Sequence, residues 1–562
     1  MSKLIKKLDD MEINNSLFEI AIRKLEVPVV KIFKASGAIK PVTFKQEDQT
    51  LDTKDSDAVK RAFYKTCEKT SNKVLRAMGT NNNPAKGMKV AVLFSGGPAA
   101  GGHNVICGLK QALGSENTLL GVKAGPKGLL AGNFFEITDS GVERILNTGG
   151  FDFLGSDRTK IKTSAQFDQV RTHCKKNNIN GLVVIGGDDS NTNAAVLAEF
   201  LYDDKIQVIG VPKTIDGDLQ VGDLMPVSFG FDTATKIYSE LVGNILQDTP
   251  SSRKYWHFIK LMGRSASHVA LEVALQTNPA ICLISEEVQE KQMSLAQIVE
   301  EISRIVIDRA KNKKINHGVV VIPEGIIEFI PEMRRLIDEL NNDMAQYRAQ
   351  MDGMNLTEKH RFVQDKLSEQ NSRLYASLPV YIQDMLMLER DSHGNLQVSQ
   401  IPTERLLINM VRKRIKELDG SVPFGTNSHF FGYEGRCGAP SLFDAAFTFN
   451  LGLTAASLIL DGHTGYMAAV SDFDKGGSIL AIPLTGLLNI ERRQGNDEMV
   501  IEKALVTLDS PAFRYFESRR KIWASEDRFT SPGPRQMWGP VSNQIPMTVA
   551  LNRGYNDLNF NF

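Results

Sequence analysis

The sequence has few cysteines, and they are far apart. Five occur among 562 residues (Cys67, Cys107, Cys174, Cys282 and Cys437), and no two of them form a C-x-x-C pair. This spacing argues against a disulfide framework and against a cysteine-based zinc site. We therefore predict that all five are buried thiols in a protein of a reducing cytosol.

The chain also lacks an excess of either charge and a long apolar run. Sixty-six basic residues balance sixty-six acidic ones, so net charge predicts neither a nucleic-acid partner nor a membrane partner. No uninterrupted apolar run approaches about 18 residues, and Met1–Asp10 has no apolar signal core. A hydrophobic content of 42% with 23% charged residues is typical of soluble globular proteins. We expect a cytoplasmic protein.

From about residue 86, short apolar runs alternate with helical patterns. Most of the runs end in a Gly or Pro loop, and they lie at Val90–Phe94, Leu182–Ile185, Val208–Val211, Phe258–Leu261, Ile281–Ile284 and Val319–Ile322. Strands buried on both faces and joined by crossover helices predict a parallel sheet. The length exceeds one ordinary core. The predicted fold class is α/β, with two doubly wound, mostly parallel-sheet (Rossmann-like) domains.

Three regions break this alternation. Residues 1–85 are polar and lack the strand rhythm, so we expect an N-terminal extension on the outside of the protein. Residues from about 330 to 405 are charged and helical, and predict a helical insertion; a partner-binding helix is the alternative. The tail, Gly533–Phe562, is irregular. The predicted domains comprise 86–250 plus about 430–480, and 251–429 plus about 481–562.

Two acidic loops follow predicted strands. Gly186–Ser190 contains Asp188 and Asp189, and Pro212–Asp218 contains Lys213 and Asp216. Ligands of open α/β sheets bind at this edge. Carboxylates there can hold a divalent metal or accept a proton, while a lysine neutralises phosphate charge, so the loops suggest phosphoryl transfer. The alternatives are a helix cap in the first loop and an exposed charged turn in the second.

A glycine-rich stretch, Ser95–Asn104, directly follows the strand at Val90–Phe94. Its backbone N–H groups suit an anion. It matches neither G-x-G-x-x-G nor a Walker A loop, so a tight turn without ligand remains an alternative.

Glycines and arginines recur together at later strand ends. Together they suit bidentate recognition of a sugar phosphate, although each arginine taken alone is better explained as a surface residue. These residues are Arg158, Met262-Gly263-Arg264, Glu324 in Pro-Glu-Gly, and Tyr433-Glu434-Gly435-Arg436.

Taken in order, six stretches resemble the phosphofructokinase superfamily, and among its members the long, pyrophosphate-dependent ones. The resemblance covers most of the chain from about Lys89 onward. The stretches are S-G-G-P-A-A-G-G-H-N, G-G-D-D-S-N-T-N-A-A, P-K-T-I-D-G-D, M-G-R-S-A-S-H-V-A-L-E, P-E-G and F-F-G-Y-E-G-R.

The resemblance implies a role for individual residues. Gly96 would contact pyrophosphate, Asp188 would bind Mg²⁺, and Asp216 would deprotonate the C1 hydroxyl of fructose 6-phosphate. Lys254 and Tyr255 would reach a neighbouring subunit's site, which implies a homodimer or a larger homo-oligomer. The remaining substrate contacts would come from Arg158, Thr214, Ile215, Met262, Gly263, Arg264, Glu324, Tyr433, Glu434, Gly435 and Arg436.

Asp189 and Lys213 decide the phosphoryl donor, because ATP-using relatives have glycine at both positions. A carboxylate about 4 Å from an α-phosphate costs about 4 kcal/mol at an effective dielectric near 20. Lys213 would stabilise the leaving phosphate. The expected reaction is therefore Mg²⁺-dependent, reversible phosphoryl transfer from pyrophosphate to fructose 6-phosphate. The alternatives are an ATP-dependent 6-phosphofructokinase, a non-catalytic regulatory subunit that binds fructose phosphates, and a Rossmann-type oxidoreductase.

Overall fold

The computed structural model describes residues 21–387, 400–493, 496–533 and 545–554. Most strands of this part of the chain belong to a large sheet and a small one. The large sheet contains β3 (Val42–Thr50), β4 (Lys73–Thr80), β5 (Lys89–Ser95), β6 (Thr118–Val122), β7 (Phe134–Glu136), β8 (Ser156–Asp157), β9 (Gly181–Gly186), β10 (Gln207–Thr214), β11 (Phe229–Gly230), β16 (Tyr466–Ser471) and β17 (Ser478–Pro483).

The centre of the large sheet is parallel. Its spatial order is β3-β4-β17-β16-β10-β9-β5-β6-β7. Strands β16, β10, β9, β5 and β6 run parallel to one another. Each of the outer strands, β3, β4, β17 and β7, pairs antiparallel with its neighbours. The parallel strands therefore follow a 2-1-3-4-5 order. Strand order reverses between β5 and β9, which is the switch point where such sheets bind ligands.

The small sheet is wholly parallel and has the order β13-β14-β12-β15. It contains β12 (Tyr255–Leu261), β13 (Ile281–Cys282), β14 (Gly318–Pro323) and β15 (Gly425–Phe431). Leu261 at the end of β12 lies opposite both Pro323 and Phe431. The loops after β12, β14 and β15 consequently leave the sheet side by side. Two hairpins complete the strands: β1 (Lys34–Ala35) with β2 (Ala38–Ile39), and β18 (Leu488–Arg493) with β19 (Asn496–Ile501).

Helices cover both sheets. Their bounds are α1 (Ser56–Ala62), α2 (Tyr64–Thr70), α3 (Gly102–Leu113), α4 (Gly125–Ala131), α5 (Asp139–Ile145), α6 (Ser164–Lys176), α7 (Asp188–Phe200), α8 (Phe231–Ser252), α9 (His268–Thr277), α10 (Ser285–Glu290), α11 (Leu295–Asn312), α12 (Ile326–Phe329), α13 (Pro331–Gln346), α14 (Arg348–Met351), α15 (Leu356–Lys366), α16 (Glu369–Ser377), α17 (Val380–Leu386), α18 (Thr403–Asp419), α19 (Leu442–Leu460), α20 (Pro511–Ser525) and α21 (Met547–Asn552). The predicted α/β class with two mostly parallel sheets is confirmed.

The predicted strands and the helical insertion are present. Every apolar run named above coincides with a strand or contains one. These runs are continuously apolar because both faces of the strands are buried. In the insertion, α13 buries Met333, Leu336 and Leu340 completely. Their spacing follows one face of a helix, which packs into the core that β12 and β14 share.

The N-terminal region contains two strands that its sequence rhythm did not indicate. β3 and β4 pair with each other and β4 pairs with β17, so this region forms one edge of the large sheet. Buried and exposed residues do not alternate clearly along β3, because most of its side chains after Val42 are exposed. The structure does not test the predicted domain boundaries. The hairpin of β18 and β19 packs against α7 of the large sheet, whereas α20 packs against α9 and α11.

One further prediction needs correction, and one helix needs comment. Cys437 is exposed, while the other four cysteines are buried free thiols. Among the described helices, α19 is long and apolar enough to cross a membrane by length and composition alone. Asp444 and Asn450 interrupt its apolar run, so the sequence analysis did not single it out. Within the fold, 94% of its most apolar window is buried, where it packs against α3 and the large sheet.

Candidate active site

Three loops meet at the switch point of the large sheet. They follow β5, β9 and β10, which are adjacent strands. Ser190 Oγ, in the loop after β9, donates a hydrogen bond to Ser95 Oγ at the end of β5 (2.8 Å). Gly96 N–H donates to the carbonyl of Asp157 (2.9 Å), which places β8 and the following Arg158 beside the same loop. The strand order thus brings together motifs that are about 120 residues apart in the sequence.

Cationic side chains surround the two glycines after β5. Gly96 has a φ of +85°, a conformation that other residues rarely adopt, and a Cβ at this position would lie 3.5 Å from Lys213 Nζ. A Cβ at Gly97 would lie only 2.9 Å from Arg436 Nη1 and 3.6 Å from Arg158 Nη2. Glycine therefore leaves room beside one lysine and two arginines. Such an arrangement suits an anion with several charges.

Asp188 and Asp189 occupy the first turn of α7, where the helix dipole favours negative charge. Within the described residues, Asp188 Oδ2 is buried and accepts no hydrogen bond. It lies 3.7 Å from Lys503 Nζ. The same residues contain no group of three or more His, Cys, Asp or Glu side chains able to hold a metal. A single open carboxylate fits Mg²⁺, which usually binds through one or two carboxylates together with phosphate oxygens and water.

Lys213 is buried and is the last residue but one of β10. Burial lowers the pKa of Lys213 to about 8, and the neighbouring Arg436 acts in the same direction, while Asp216 and Asp188 oppose the shift. A lysine with a lowered pKa can change its protonation state near neutral pH. Lys213 is thus close enough to Asp216 and Asp188 for their charges to act on it.

Asp216 lies between the two sheets. Its Oδ2 accepts a hydrogen bond from the backbone N–H of Arg264 (3.3 Å), and its own N–H donates to Thr214 Oγ1 (3.1 Å). The carboxylate of the large-sheet loop is thereby held against the loop that follows β12. This position suits a base acting on a hydroxyl bound by the second loop.

The small-sheet loops form the other wall of the site. Glu324, buried after β14, accepts a hydrogen bond from Gly263 N–H (3.0 Å), and burial raises its pKa. Arg436 donates from Nε to Met262 Sδ (3.1 Å) and from Nη1 to the carbonyl of Pro98 (3.3 Å). Arg436 therefore connects the glycine-rich loop with the loops after β12 and β15.

Tyr433 and Glu434 of the YEGR stretch are both exposed. Glu434 Oε2 accepts a hydrogen bond from Gly432 N–H (2.7 Å), while 73% of Tyr433 is exposed. Gly435 packs tightly, since a Cβ there would meet the ring of Tyr238 at 2.5 Å. The turn itself is a short 3₁₀ helix at Tyr433–Gly435.

Not all the predicted residues converge. Lys254 and Tyr255 precede or begin β12, whereas Met262 follows its end, and a seven-residue strand separates the two ends by about 20 Å. Lys254 Nζ lies over the ring of Tyr255, 5.0 Å from its centroid. Within one chain these two side chains are remote from the site, so their role in a neighbouring subunit stays a prediction. Ile215 is 1% exposed and belongs to the core.

The sequence analysis missed Lys503, Asp218 and Ser265. Lys503 Nζ donates to Ser265 Oγ (2.6 Å) and lies 3.9 Å from Asp218 Oδ2. Burial, with Asp216 next, raises the pKa of Asp218 to about 7. Asp218 lies within the P-K-T-I-D-G-D stretch, and the second carboxylate so close to Asp216 was the sequence signal that could have identified it. Lys503 follows a hairpin without a recognisable motif, so only the fold identifies it.

Comparisons with known proteins identify the family of this chain. A family model described as Phosphofructokinase matches residues 89–459. A pyrophosphate--fructose 6-phosphate 1-phosphotransferase of Treponema pallidum is 44% identical, with 92% of this chain and 94% of the relative covered. A protein of the same name from Entamoeba histolytica is 46% identical over 84% of this chain and 89% of its own. The relative named subunit beta 2 in Arabidopsis thaliana is 45% identical, with 83% and 82% covered.

One solved structure supports the fold alone. The pyrophosphate-dependent phosphofructokinase from Nitrosospira multiformis superposes with a TM-score of 0.50 at 16% sequence identity. The superposition covers 82% of this chain and 96% of the other. The agreement concerns the arrangement of strands and helices.

Proposed function

Because this chain belongs to the phosphofructokinase family, we propose that it transfers a phosphoryl group from pyrophosphate to the C1 hydroxyl of fructose 6-phosphate. The products are fructose 1,6-bisphosphate and phosphate, and the reaction is reversible. One observation carries the proposal: Asp188, Lys213 and Asp216 share one site with the glycine cradle at Gly96. Relatives of 44–46% identity bear the name of this reaction.

Each part of the reaction has a residue at hand. Asp216, hydrogen-bonded to the N–H of Arg264, accepts the proton of the hydroxyl as the oxygen attacks phosphorus. Lys213, with Arg158 and Arg436 beside it, stabilises the negative charge of the phosphate that leaves. Phosphoryl transfer depends mainly on such positioning and charge stabilisation.

Asp188 would hold a Mg²⁺ ion, as its buried and unbonded Oδ2 suggests. Bound there, the ion would neutralise diphosphate charge during transfer. Asp189 and Lys213 would favour pyrophosphate over ATP, because a carboxylate repels an α-phosphate where a nucleotide would lie. Thr214, Met262, Gly263, Glu324 and the YEGR turn would surround the sugar phosphate.

The assembly completes the proposal. Lys254 and Tyr255 lie at the far end of β12, so they would serve the site of a second subunit in a homodimer or a larger homo-oligomer. Relatives in Arabidopsis thaliana are themselves named as subunits. We also propose a cytoplasmic location, and the domain division given above with the diphosphate bound by the first domain and the sugar phosphate by the second.

A donor comparison tests the proposal. Purified protein is incubated with fructose 6-phosphate and Mg²⁺, and fructose 1,6-bisphosphate is measured with pyrophosphate or ATP at equal concentration. We expect turnover with pyrophosphate that exceeds turnover with ATP by at least about 100-fold, which corresponds to about 2.7 kcal/mol. Removal of Mg²⁺ by a chelator stops the reaction. Faster turnover with ATP would contradict the proposal that pyrophosphate is the donor. The absence of turnover with either donor would contradict the proposed phosphoryl transfer to fructose 6-phosphate.

A further inference from the structure

The chain crosses between the two halves of the site at residues 501–506, which we call the crossover segment. On one side, Ile501 N–H donates to Thr192 Oγ1 (3.0 Å), and Ala504 N–H donates to the carbonyl of Asp218 (2.7 Å). On the other side, Ala504 O lies 2.9 Å from His268 Nε2 at the start of α9. The segment is thus bonded to the acidic loops and to the small-sheet half within four residues.

The far end of the crossover segment has an anchor of its own. Val506 N–H donates to Glu286 Oε1 (3.0 Å), and the same oxygen accepts a hydrogen bond from Ser267 N–H (3.0 Å). Ser267 belongs to the stretch that begins with Met262-Gly263-Arg264. The backbone of the segment is therefore held in register with the loop that follows β12.

Lys503 is the charged residue of this segment that faces the site. Its ammonium group donates to Ser265 Oγ (2.6 Å) and lies 3.7 Å from Asp188 Oδ2 and 3.9 Å from Asp218 Oδ2. Ser265 directly follows Arg264, whose backbone N–H bonds Asp216. The side chain of Lys503 therefore lies between Asp188, in the loop after β9 of the large sheet, and Ser265, in the loop after β12 of the small sheet.

We propose that Lys503 is a positioning residue that couples the two substrate sites. The inference rests on the proposed function. When the metal–diphosphate complex engages Asp188, that carboxylate attracts Lys503 less, and the ammonium group is left to Ser265 and Asp218. The loop with Arg264 is then held in the position that binds a sugar phosphate. Diphosphate binding thus increases the affinity for fructose 6-phosphate, and by linkage the converse holds.

Calorimetry on the full chain measures this coupling without turnover. The dissociation constant of fructose 6-phosphate is determined alone and with Mg²⁺ and methylenediphosphonate, a diphosphate analogue whose bridge cannot be cleaved. We expect the analogue to tighten binding about five-fold or more in the unmodified protein. In Lys503→Met the factor falls to about one, and in Lys503→Arg part of it returns, because a cation again reaches Ser265 and Asp188.

Lys291→Met is the matched control, since Lys291 is a lysine that forms an ion pair with a carboxylate of α10, Glu287 (2.6 Å). It keeps the coupling factor of the unmodified protein. A merely structural role of Lys503 would change both dissociation constants by the same factor and leave their ratio intact, which overturns the proposal. A ratio of one in the unmodified protein also overturns it. If that ratio is present but pyrophosphate supports no turnover, only the proposed function fails.

Discussion

Two groups of charged residues in this chain are built differently. In the candidate site, Lys213 is buried beside Gly96, whereas Asp188 and Asp216 are half-buried. In the second group, at the junction of α8 and α19, the buried residues Asp232, Lys236 and Asp444 face one another. Lys236 Nζ is 2.7 Å from Asp232 Oδ2.

Hydrogen bonding distinguishes Asp444 from Asp188, although Asp232 Oδ1 in the second group also has no hydrogen-bond partner within the described residues. Asp444 accepts bonds on both oxygens, from Gly230 N–H (3.1 Å) and Thr233 N–H (2.8 Å). Asp188 Oδ2 accepts none within the described residues. Burying a charge costs free energy unless partners compensate it. A carboxylate whose partners are all internal therefore stabilises the junction, whereas one kept open at a cleft is available for a ligand.

The largest expected effect is the loss of the base. Asp216→Asn removes the proton acceptor but keeps the volume, so kcat falls by about 10³-fold or more. The dissociation constant of fructose 6-phosphate and the free energy of unfolding change little. Steady-state kinetics, calorimetry and urea unfolding provide these three values. Asp223→Asn, an exposed carboxylate in the next turn, serves as control; a retained kcat in Asp216→Asn would remove Asp216 from the mechanism.

The opposite pattern is expected at the junction. Asp444→Ala leaves the N–H groups of Gly230 and Thr233 buried without acceptors, and the free energy of unfolding falls by about 3 kcal/mol. The kcat per folded molecule stays nearly constant. Asp139→Ala, which removes an exposed carboxylate from the first turn of α5, changes stability by less than about 0.5 kcal/mol. Urea unfolding measures both. If Asp444→Ala impaired catalysis without loss of stability, the distinction between the two groups would be wrong.

The pH dependence of catalysis tests whether the positive charge of Lys213 takes part in the reaction. Since burial lowers its pKa to about 8, its charge is present below that pH and lost above it. We expect kcat/KM for pyrophosphate to fall above about pH 8, by up to about tenfold per pH unit. Lys213→Arg stays protonated throughout this range, so its lower kcat/KM shows no such additional fall. Because the ionisation of pyrophosphate is common to both proteins, an identical alkaline decline would disprove the assignment.

The smallest effect concerns donor choice. Asp189→Gly removes a carboxylate from the first turn of α7. We expect turnover with ATP to rise only about tenfold from a low level, less than full relief of the repulsion would give, because Lys213 still occupies the second position at which ATP-using relatives have glycine. Turnover with pyrophosphate decreases at the same time. Asp139→Gly makes the same exchange in the first turn of α5 and leaves the donor ratio unchanged. ATP-supported rates that do not respond would place donor choice elsewhere in the site.

Much of the site could be predicted locally. A glycine or carboxylate directly after a buried apolar run marks the ligand edge of a sheet, which is how Gly96, Asp188, Asp216 and Arg264 were found. Lys503 could not be predicted in this way, because it follows a hairpin and not a buried strand of either sheet. The strands β3 and β4 escaped because they form an outer edge of the sheet, where the burial pattern that identifies central strands is weak.

The sequence alone determined the strand and helix alternation and the chemical character of each loop, because periodicity and residue type act over a few neighbours. Only the tertiary structure decided which loops meet. The switch point between β5 and β9, the bond from Arg264 N–H to Asp216 and the reach of Lys503 across both halves depend on strand order. Strand order results from long-range packing, which no local pattern of residues records.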